Sequence, residues 1–273
     1  MLIAQLTDTH LKPGGRPAYG RVDTAGLLTA AVDYVNAFVP EVDAVILSGD
    51  LTDTGSAAEY AVLRPLLDRI RAPWYAVPGN HDRADEMRTA FGDVVPYVDA
   101  ADFAACLIDH LPVRLIGLDS SVAGVPWGMV GAAQLAWLDR VLTADAGRPT
   151  LVFVHHPPFE TGIGHMDVQN LKDGTELIAV LRRHPQVLHL ACGHVHRAID
   201  TVLDGVAVSI APNAAHAVTL DLTLGGPSTF TMEPPAIRLF RFTPPRLLVS
   251  HLAYPGRFDG PHPFFDATGG LID

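Results

Sequence analysis

Residues 187–197 read VLHLACGHVHR. The first six have the length and apolar content of a buried strand; the chain then turns at a glycine and sets two histidines one residue apart. On its own, a His-x-His pair at a strand end is commonplace, because it only places two side chains on one face of the last extended turn. Its meaning depends on what the other strand ends carry.

Five further apolar runs read as buried strands: LIAQL (2–6), AVILS (44–48), WYAVP (74–78), RLIGL (114–118) and LVFVH (151–155). Helical spacing fills the intervals at 24–39, 56–71 and 131–142, with Pro65 expected to kink the second helix or delay its start. Alternating strands and helices point to a layered α/β fold. Beyond residue 197 the runs are short (207–211, 217–222, 236–242 and 246–252) and are expected to form antiparallel strands. Residues 225–235 read as a loop or exposed arm, and 256–270 as a Pro/Gly-rich tail laid over the surface.

Polar residues follow these runs in a pattern. The first ends in Asp8-Thr9-His10, the second in Gly49-Asp50 and the third in Gly79-Asn80-His81-Asp82. The fifth ends in His155-His156, and the run quoted above in Gly193-His194-Val195-His196. Carboxyl ends of strands form the edge at which open α/β sheets bind ligands. Carboxylates and imidazoles gathered there without a cation would be unpaired and crowded, and a metal centre resolves the crowding. Oxygen and nitrogen donors without thiolate suit Mn, Fe, Co or Zn, and seven donors exceed one tetrahedral site, which implies two divalent ions with a shared ligand. Residue by residue, simpler roles stay open: Asp8 as a turn cap, Asn80 for its tolerance of left-handed backbone, and either of His155 and His156 as the donor. His110, His165, His184, His189, His251 and His262 read as packed or solvated.

Composition narrows the classes. A chain of 273 residues, 48% hydrophobic and 18% charged, is globular with a substantial core. Its 19 Lys and Arg stand against 30 Asp and Glu, and the net charge of −11 disfavours nucleic acid or an anionic membrane as partner. With no basic-then-apolar leader and no apolar stretch of membrane-spanning length, the chain is expected to be soluble, unexported and cytoplasmic. Cys106 and Cys192 are expected to be reduced and structural.

Taken in order, D-x-H at 8–10, G-D at 49–50, G-N-H-D at 79–82, the histidines at 155–156 and G-H-x-H at 193–196 resemble the calcineurin-like metallophosphoesterase superfamily. Through TDTH (7–10), YGRVD (19–23), PGNHD (78–82), HHPP (155–158) and its length, the chain is most similar to bacterial class III cyclic nucleotide phosphodiesterases and glycerophosphodiesterases. The resemblance implies a four-layer α/β/β/α sandwich with a C-terminal accessory segment. Residues 1–210 would form the core, and 211–273 the remaining strands, the accessory segment that joins subunits, and the tail. By the family's pattern Asp8, His10 and His196 hold one metal, Asn80, His156 and His194 the other, and Asp50 bridges. His81 faces the substrate as a catalytic group, His216 and Tyr19 contact it, and His155 has only a supporting role. The implied activity is hydrolysis of a small phosphodiester, and the family's close members are oligomers.

Departures from the pattern matter as well. Asp53 stands where purple acid phosphatases carry an iron-binding tyrosine, so no tyrosinate iron is expected. Thr54 and Asp82 stand where Ser/Thr protein phosphatases carry an arginine and a glutamate, which disfavours a protein phosphatase. Nucleases of the superfamily share the ligand set and are disfavoured by charge. A non-catalytic scaffold would be expected to lose ligands, and none is missing.

Overall fold

The computed structural model describes residues 1–99 and 103–272. Strands and helices follow in the order β1 (Leu2–Leu6), α1 (Thr24–Ala37), β2 (Ala44–Ser48), α2 (Ala57–Leu67), β3 (Trp74–Val77), α3 (Ala84–Phe91), β4 (Cys106–Ile108) and β5 (Arg114–Leu118). Next come α4 (Ala132–Ala144), β6 (Thr150–Val154), α5 (Gly164–Asp167), α6 (Gly174–Leu181) and β7 (Val187–Cys192). The chain finishes with β8 (Ile199–Leu203), β9 (Val206–Ile210), β10 (Ala217–Val218), β11 (Phe230–Thr231), β12 (Ile237–Thr243) and β13 (Leu247–Ala253).

Two large sheets result. One has the order β13-β12-β1-β2-β3, the other β4-β5-β6-β7-β9-β8. In the first, β1, β2 and β3 run parallel; in the second, so do β5, β6, β7 and β9. Parallel strands are covered on both faces, and β6 shows how. Its Leu151 and Phe153 join a core with Ile3, Val45 and Val77 of the first sheet, while Val152 and Val154 join a second core with Leu138 and Leu142 of α4 and Leu177 and Leu181 of α6. Burying a side chain such as Phe153 stabilises by about 1.5–3 kcal/mol. At Gly117 the sheets leave no room for a side chain: a methyl group would lie 2.6 Å from both Phe153 and Val77. His189 sits in the same seam, its ring 5.0 Å from Phe240 and its Nε2 2.7 Å from Ser209 Oγ.

Several expectations change in detail. Strand β6 begins and ends one residue before LVFVH, at Thr150–Val154. Pro65 lies inside α2, whose last residue follows two positions later, so the missing amide falls in the final turn. The region beyond 197 is not purely antiparallel, because β9 pairs parallel to β7. Of residues 217–222 only Ala217 and Val218 are strand, and they pair with Thr231 and Phe230 inside the expected loop 225–235. Helices α3 and α6 were not foreseen, α6 because GTELIAVL is too short and too apolar to separate helix from strand by periodicity. The tail runs exposed through residue 272; Asp273, the end of the expected second segment, lies outside the described residues. Among the described residues, no helix is long and apolar enough to cross a membrane.

Candidate metal centre and substrate cavity

The parallel strands of both sheets deliver their following loops to one edge. Backbone bonds lock those loops together: Asp8 N donates to Gly49 O at 2.9 Å, His10 N to Asp50 O at 3.0 Å, and Gly193 N to His155 O at 2.9 Å. Five residues of this edge hold left-handed backbone, with φ of 55° at Asp8, 42° at His10, 51° at Asp50, 73° at His194 and 55° at His196. Such conformations cost on the order of 1–3 kcal/mol each and persist only where the surroundings impose them. Clustered at one edge, they aim the side chains inward.

The donors lie close to one another. His10 Nε2 is 3.2 Å from His196 Nε2, which is 3.3 Å from Asp8 Oδ1. His155 Nε2 is 3.3 Å from Asp50 Oδ2, 3.2 Å from Asn80 Oδ1 and 3.2 Å from His194 Nδ1. Asp50 Oδ2 also lies 3.8 Å from His10 Nε2, between the two sets. Four donors at about 2.0–2.2 Å from one ion are spaced about 3.3 Å apart along the edges of a tetrahedron, so these separations fit a cation at the centre of each set. His10 Nδ1 and His194 Nε2 are buried without a hydrogen-bond partner among the described residues. Burial alone would raise both carboxyl groups; the imidazoles outweigh it, chiefly His196 for Asp8 and His155 for Asp50, and hold both below the ordinary range. His155 runs the other way. Burial opposes its proton, but the Asp50 carboxylate pushes its pKa up to about 9, so the field at this point favours a positive charge. Burial pushes His10 well down and His194 to about 3.

The geometry sets His156, the expected donor, apart from His155. Its Nε2 is 3.1 Å from the carbonyl oxygen of Pro126, which can only accept, so Nε2 carries the proton. Its Nδ1 is 2.8 Å from Ser120 Oγ and therefore accepts from that hydroxyl. Both nitrogens are engaged and no lone pair is free, although the ring remains beside His155 and His194. In His155, Nδ1 donates to Ser48 O at 2.8 Å, which leaves Nε2, the nitrogen at which a cation would replace the proton, facing Asp50, Asn80 and His194. Of the two rings, His155 thus turns a nitrogen toward Asp50, Asn80 and His194, while both nitrogens of His156 are bonded to Pro126 and Ser120.

Supporting residues escaped the reading of the sequence. Asp82 is buried and accepts from Leu51 N, Thr52 N, Thr52 Oγ1, Gly79 N and Tyr60 Oη at 2.9–3.1 Å, tying the Asp50 loop to the Asn80 loop. Asn213 Nδ2 donates to Asp8 O at 2.6 Å and lies 3.2 Å from His196 Nδ1. Gly79 packs so tightly that a methyl group there would overlap Asp50 Oδ1. The sequence signal for Asn213 was its place three residues before His216, in the loop that follows β9.

A cavity of about 470 Å³ opens over the donors, lined among others by His10, Asp50, Asn80, His81, His194 and His196. His81 N donates to Asp50 Oδ1 at 2.8 Å, and its Nδ1 is 2.8 Å from Asp53 O, so Nε2 is the nitrogen left for a ligand. Burial would lower the His81 pKa, but the charge of Asp50 raises it. Tyr19 and His216 form one wall with Phe230, which the sequence did not single out; burial and His196 push the His216 pKa to about 3 and keep that ring neutral. His165, expected to be merely packed or solvated, also lines the cavity, with Met166 and Gln169. Thr54 does not supply a cation in place of the phosphatase arginine: its amide and hydroxyl bond Glu59 Oε2 at 3.0 and 2.7 Å. No Lys or Arg is among the described residues lining this cavity.

The chain was also compared with known proteins. The profile of the calcineurin-like phosphoesterase family matches residues 1–198. The chain is 39% identical, over 100% of both chains, to a protein of Arcobacter nitrofigilis named "Probable glycerophosphodiester phosphodiesterase GpdQ". It is 32% identical to the 3',5'-cyclic adenosine monophosphate phosphodiesterase CpdA of Escherichia coli, over 77% of this chain and 75% of that one. Among solved structures, a dimetal phosphatase from Danio rerio has a similar fold, with a TM-score of 0.61 at 16% identity, over 88% of this chain and 95% of that one.

Proposed function

The chain belongs to the calcineurin-like phosphoesterase family, whose members use a dinuclear metal centre, and on that footing we propose that it hydrolyses small phosphodiesters, of the glycerophosphodiester or 3',5'-cyclic nucleotide class. The observation that carries this reading is the pair of donor sets sharing Asp50 beneath a cavity that no Lys or Arg lines among the described residues. Asp8, His10 and His196 would hold one divalent ion and Asn80, His155 and His194 the other, with Asp50 between them; Fe, Mn, Co or Zn suits these donors. Bound ions supply activation of water and neutralisation of charge on the phosphoryl oxygens.

The protein's own groups do the rest. Asp50 accepts the His81 amide and thereby sets the imidazole over the cavity. With Nδ1 committed to the Asp53 carbonyl, His81 Nε2 meets the ester oxygen. Water attacks phosphorus in line and loses a proton to solvent, the phosphorus–oxygen ester bond breaks, and His81 gives its proton to the departing alkoxide and regains one from solvent, leaving a phosphomonoester and an alcohol. A phosphomonoester approaches a dianion near neutral pH, and enzymes specialised for it add a cationic clamp that Thr54 does not provide.

Higher kcat/KM is therefore expected for a diester than for the matched monoester, and a monoester preference in steady-state assays would refute the reading. His81→Ala should cut turnover by about 10²–10⁴-fold for poor alkoxide leaving groups and least for nitrophenolate. Equal losses across leaving groups would remove the proton-donor role.

The active form is proposed to be a homo-oligomer. Among the described residues, strand β13 is an unpaired sheet edge carrying exposed Leu247, Val249 and Leu252, and a cavity of about 820 Å³ beside it is lined by Phe38, Leu239, Tyr254 and Phe258. An exposed apolar edge of this kind pairs readily with a second copy. Sedimentation should give at least twice the chain's 29.2 kDa; a monomer at micromolar concentration would reject this assembly.

A further inference from the structure

We propose that Phe230, stacked with Tyr19 and His216, selects diesters in which one ester arm carries a planar ring, an inference that rests on the phosphodiesterase reading above. The rings form a continuous path away from the donors. His216 lies 4.6 Å from His196 between centroids, Phe230 lies 5.4 Å from His216, and Tyr19 lies 5.2 Å from Phe230 with a tilt of 37°. An ester arm leaving a phosphorus held at the donors would run along His216 and reach the Tyr19–Phe230 surface. That surface offers a planar ring face-to-face or edge-to-face packing, and the thioether of Met166 in the same cavity adds a polarisable contact. A polyol arm would give up hydration there and find no partner on Phe230.

The wall is built into place. Phe230 stands opposite Val218 in the β10–β11 ribbon and packs on a small core of Ala18, Val22 and Ala215. Tyr19 sits at φ 51°, in the turn closed by the Ala18–Val22 bridge. Arg197, the residue after His196, ties the ribbon to the donor loop. Its Nη1 donates to Val218 O at 2.6 Å and to Glu233 Oε1 at 2.8 Å, and its Nη2 to Glu233 Oε2 at 3.0 Å. A two-pronged guanidinium–carboxylate bond fixes orientation as well as distance. Arg197 and Glu233 are thus positioning residues, and the segment 225–235 is a specificity element.

The test reads a ratio: kcat/KM on bis(4-nitrophenyl) phosphate divided by kcat/KM on glycerophosphocholine, with the metal-loaded full chain. Phe230→Ala should lower this ratio roughly tenfold, through KM on the aryl substrate, and Phe230→Trp should hold it within about threefold of the wild type. Glu233→Gln should lower the ratio in the same direction by a smaller factor, again through KM, as release of the ribbon requires. An unchanged ratio in Phe230→Ala, whether from no loss or from equal loss on both substrates, overturns the inference, and so does a raised ratio, which would mean that the wall holds the choline cation. A wild-type protein that hydrolyses neither diester overturns the phosphodiesterase reading, a result separate from any change in the ratio.

Discussion

His155→Ala is expected to remove one of the two metal ions and to lower kcat/KM on phosphodiesters by more than about 100-fold, whereas His156→Gln keeps both ions and at least about a tenth of the activity. The contrast follows from lone pairs. His155 points Nε2 at Asp50, Asn80 and His194, each 3.2–3.3 Å away, where a bound cation would take the place of its proton, and its Nδ1–H is anchored on Ser48. In His156 the Pro126 carbonyl takes the proton of one nitrogen, and the Ser120 hydroxyl occupies the other. Replacing outer partners of a metal ligand typically costs 10–100-fold in affinity or activity, so loss of the donor itself should exceed that range, and loss of a buttress should fall at its lower end. His156→Gln should also destabilise by about 1–3 kcal/mol, because buried groups lose their partners. Metal analysis and kinetics on the same preparations decide the matter. A His156 variant that loses an ion beside a His155 variant that keeps both would reverse the assignment.

Why the choice between these two histidines was not legible in the chain is a matter of strand register. Side chains alternate faces along a strand, so a boundary shifted by one residue exchanges the residue that points at the cavity for the one that points away. The apolar run LVFVH places the strand end at 155, while β6 ends at Val154. Asp8, His10, Asp50, Asn80, His194 and His196 were placed at this edge by their runs, and the structure brings them together there. The layered fold was legible for a related reason: doubly covered strands such as AVILS are apolar on both faces and stand out without periodicity. Phe230 was not legible at all. Its position depends on a ribbon of two residue pairs and on an ion pair between Arg197 and Glu233, 36 residues apart, and no local pattern announces either. The parallel pairing of β9 was hidden likewise, because it requires β8 to cross to the sheet edge, and the half-exposed IDTVL of β8 reads as loop.

The largest loss is expected at Asp50. One of its oxygens lies 3.3 Å from His155 and 3.8 Å from His10, and the other receives the His81 amide at 2.8 Å, so this carboxylate serves both proposed ion sites and orients the proposed proton donor. Two cations without the shared anion would repel each other, and a bridging charge supplies several kcal/mol of stabilisation, equivalent to roughly 10³-fold or more in kcat/KM. Asp50→Asn is a cleaner test than Asp50→Ala. At φ 51° alanine would add a backbone penalty of about 1–2 kcal/mol, whereas asparagine tolerates left-handed backbone and can still accept the His81 amide. Loss in the asparagine variant therefore reports the missing charge. Stability gives a second readout that does not depend on turnover. Added divalent metal should raise the melting temperature of the wild type, because ions that bind only the folded state stabilise it, and this rise should shrink in Asp50→Asn. Without metal the variant should melt lower than the wild type, because the ionised Asp50 carboxylate is held below its ordinary range by His155, His81 and His10 and that stabilisation is lost with the charge. Two tightly held ions, an undiminished rise in melting temperature and near-normal turnover in Asp50→Asn would together reject Asp50 as the bridge.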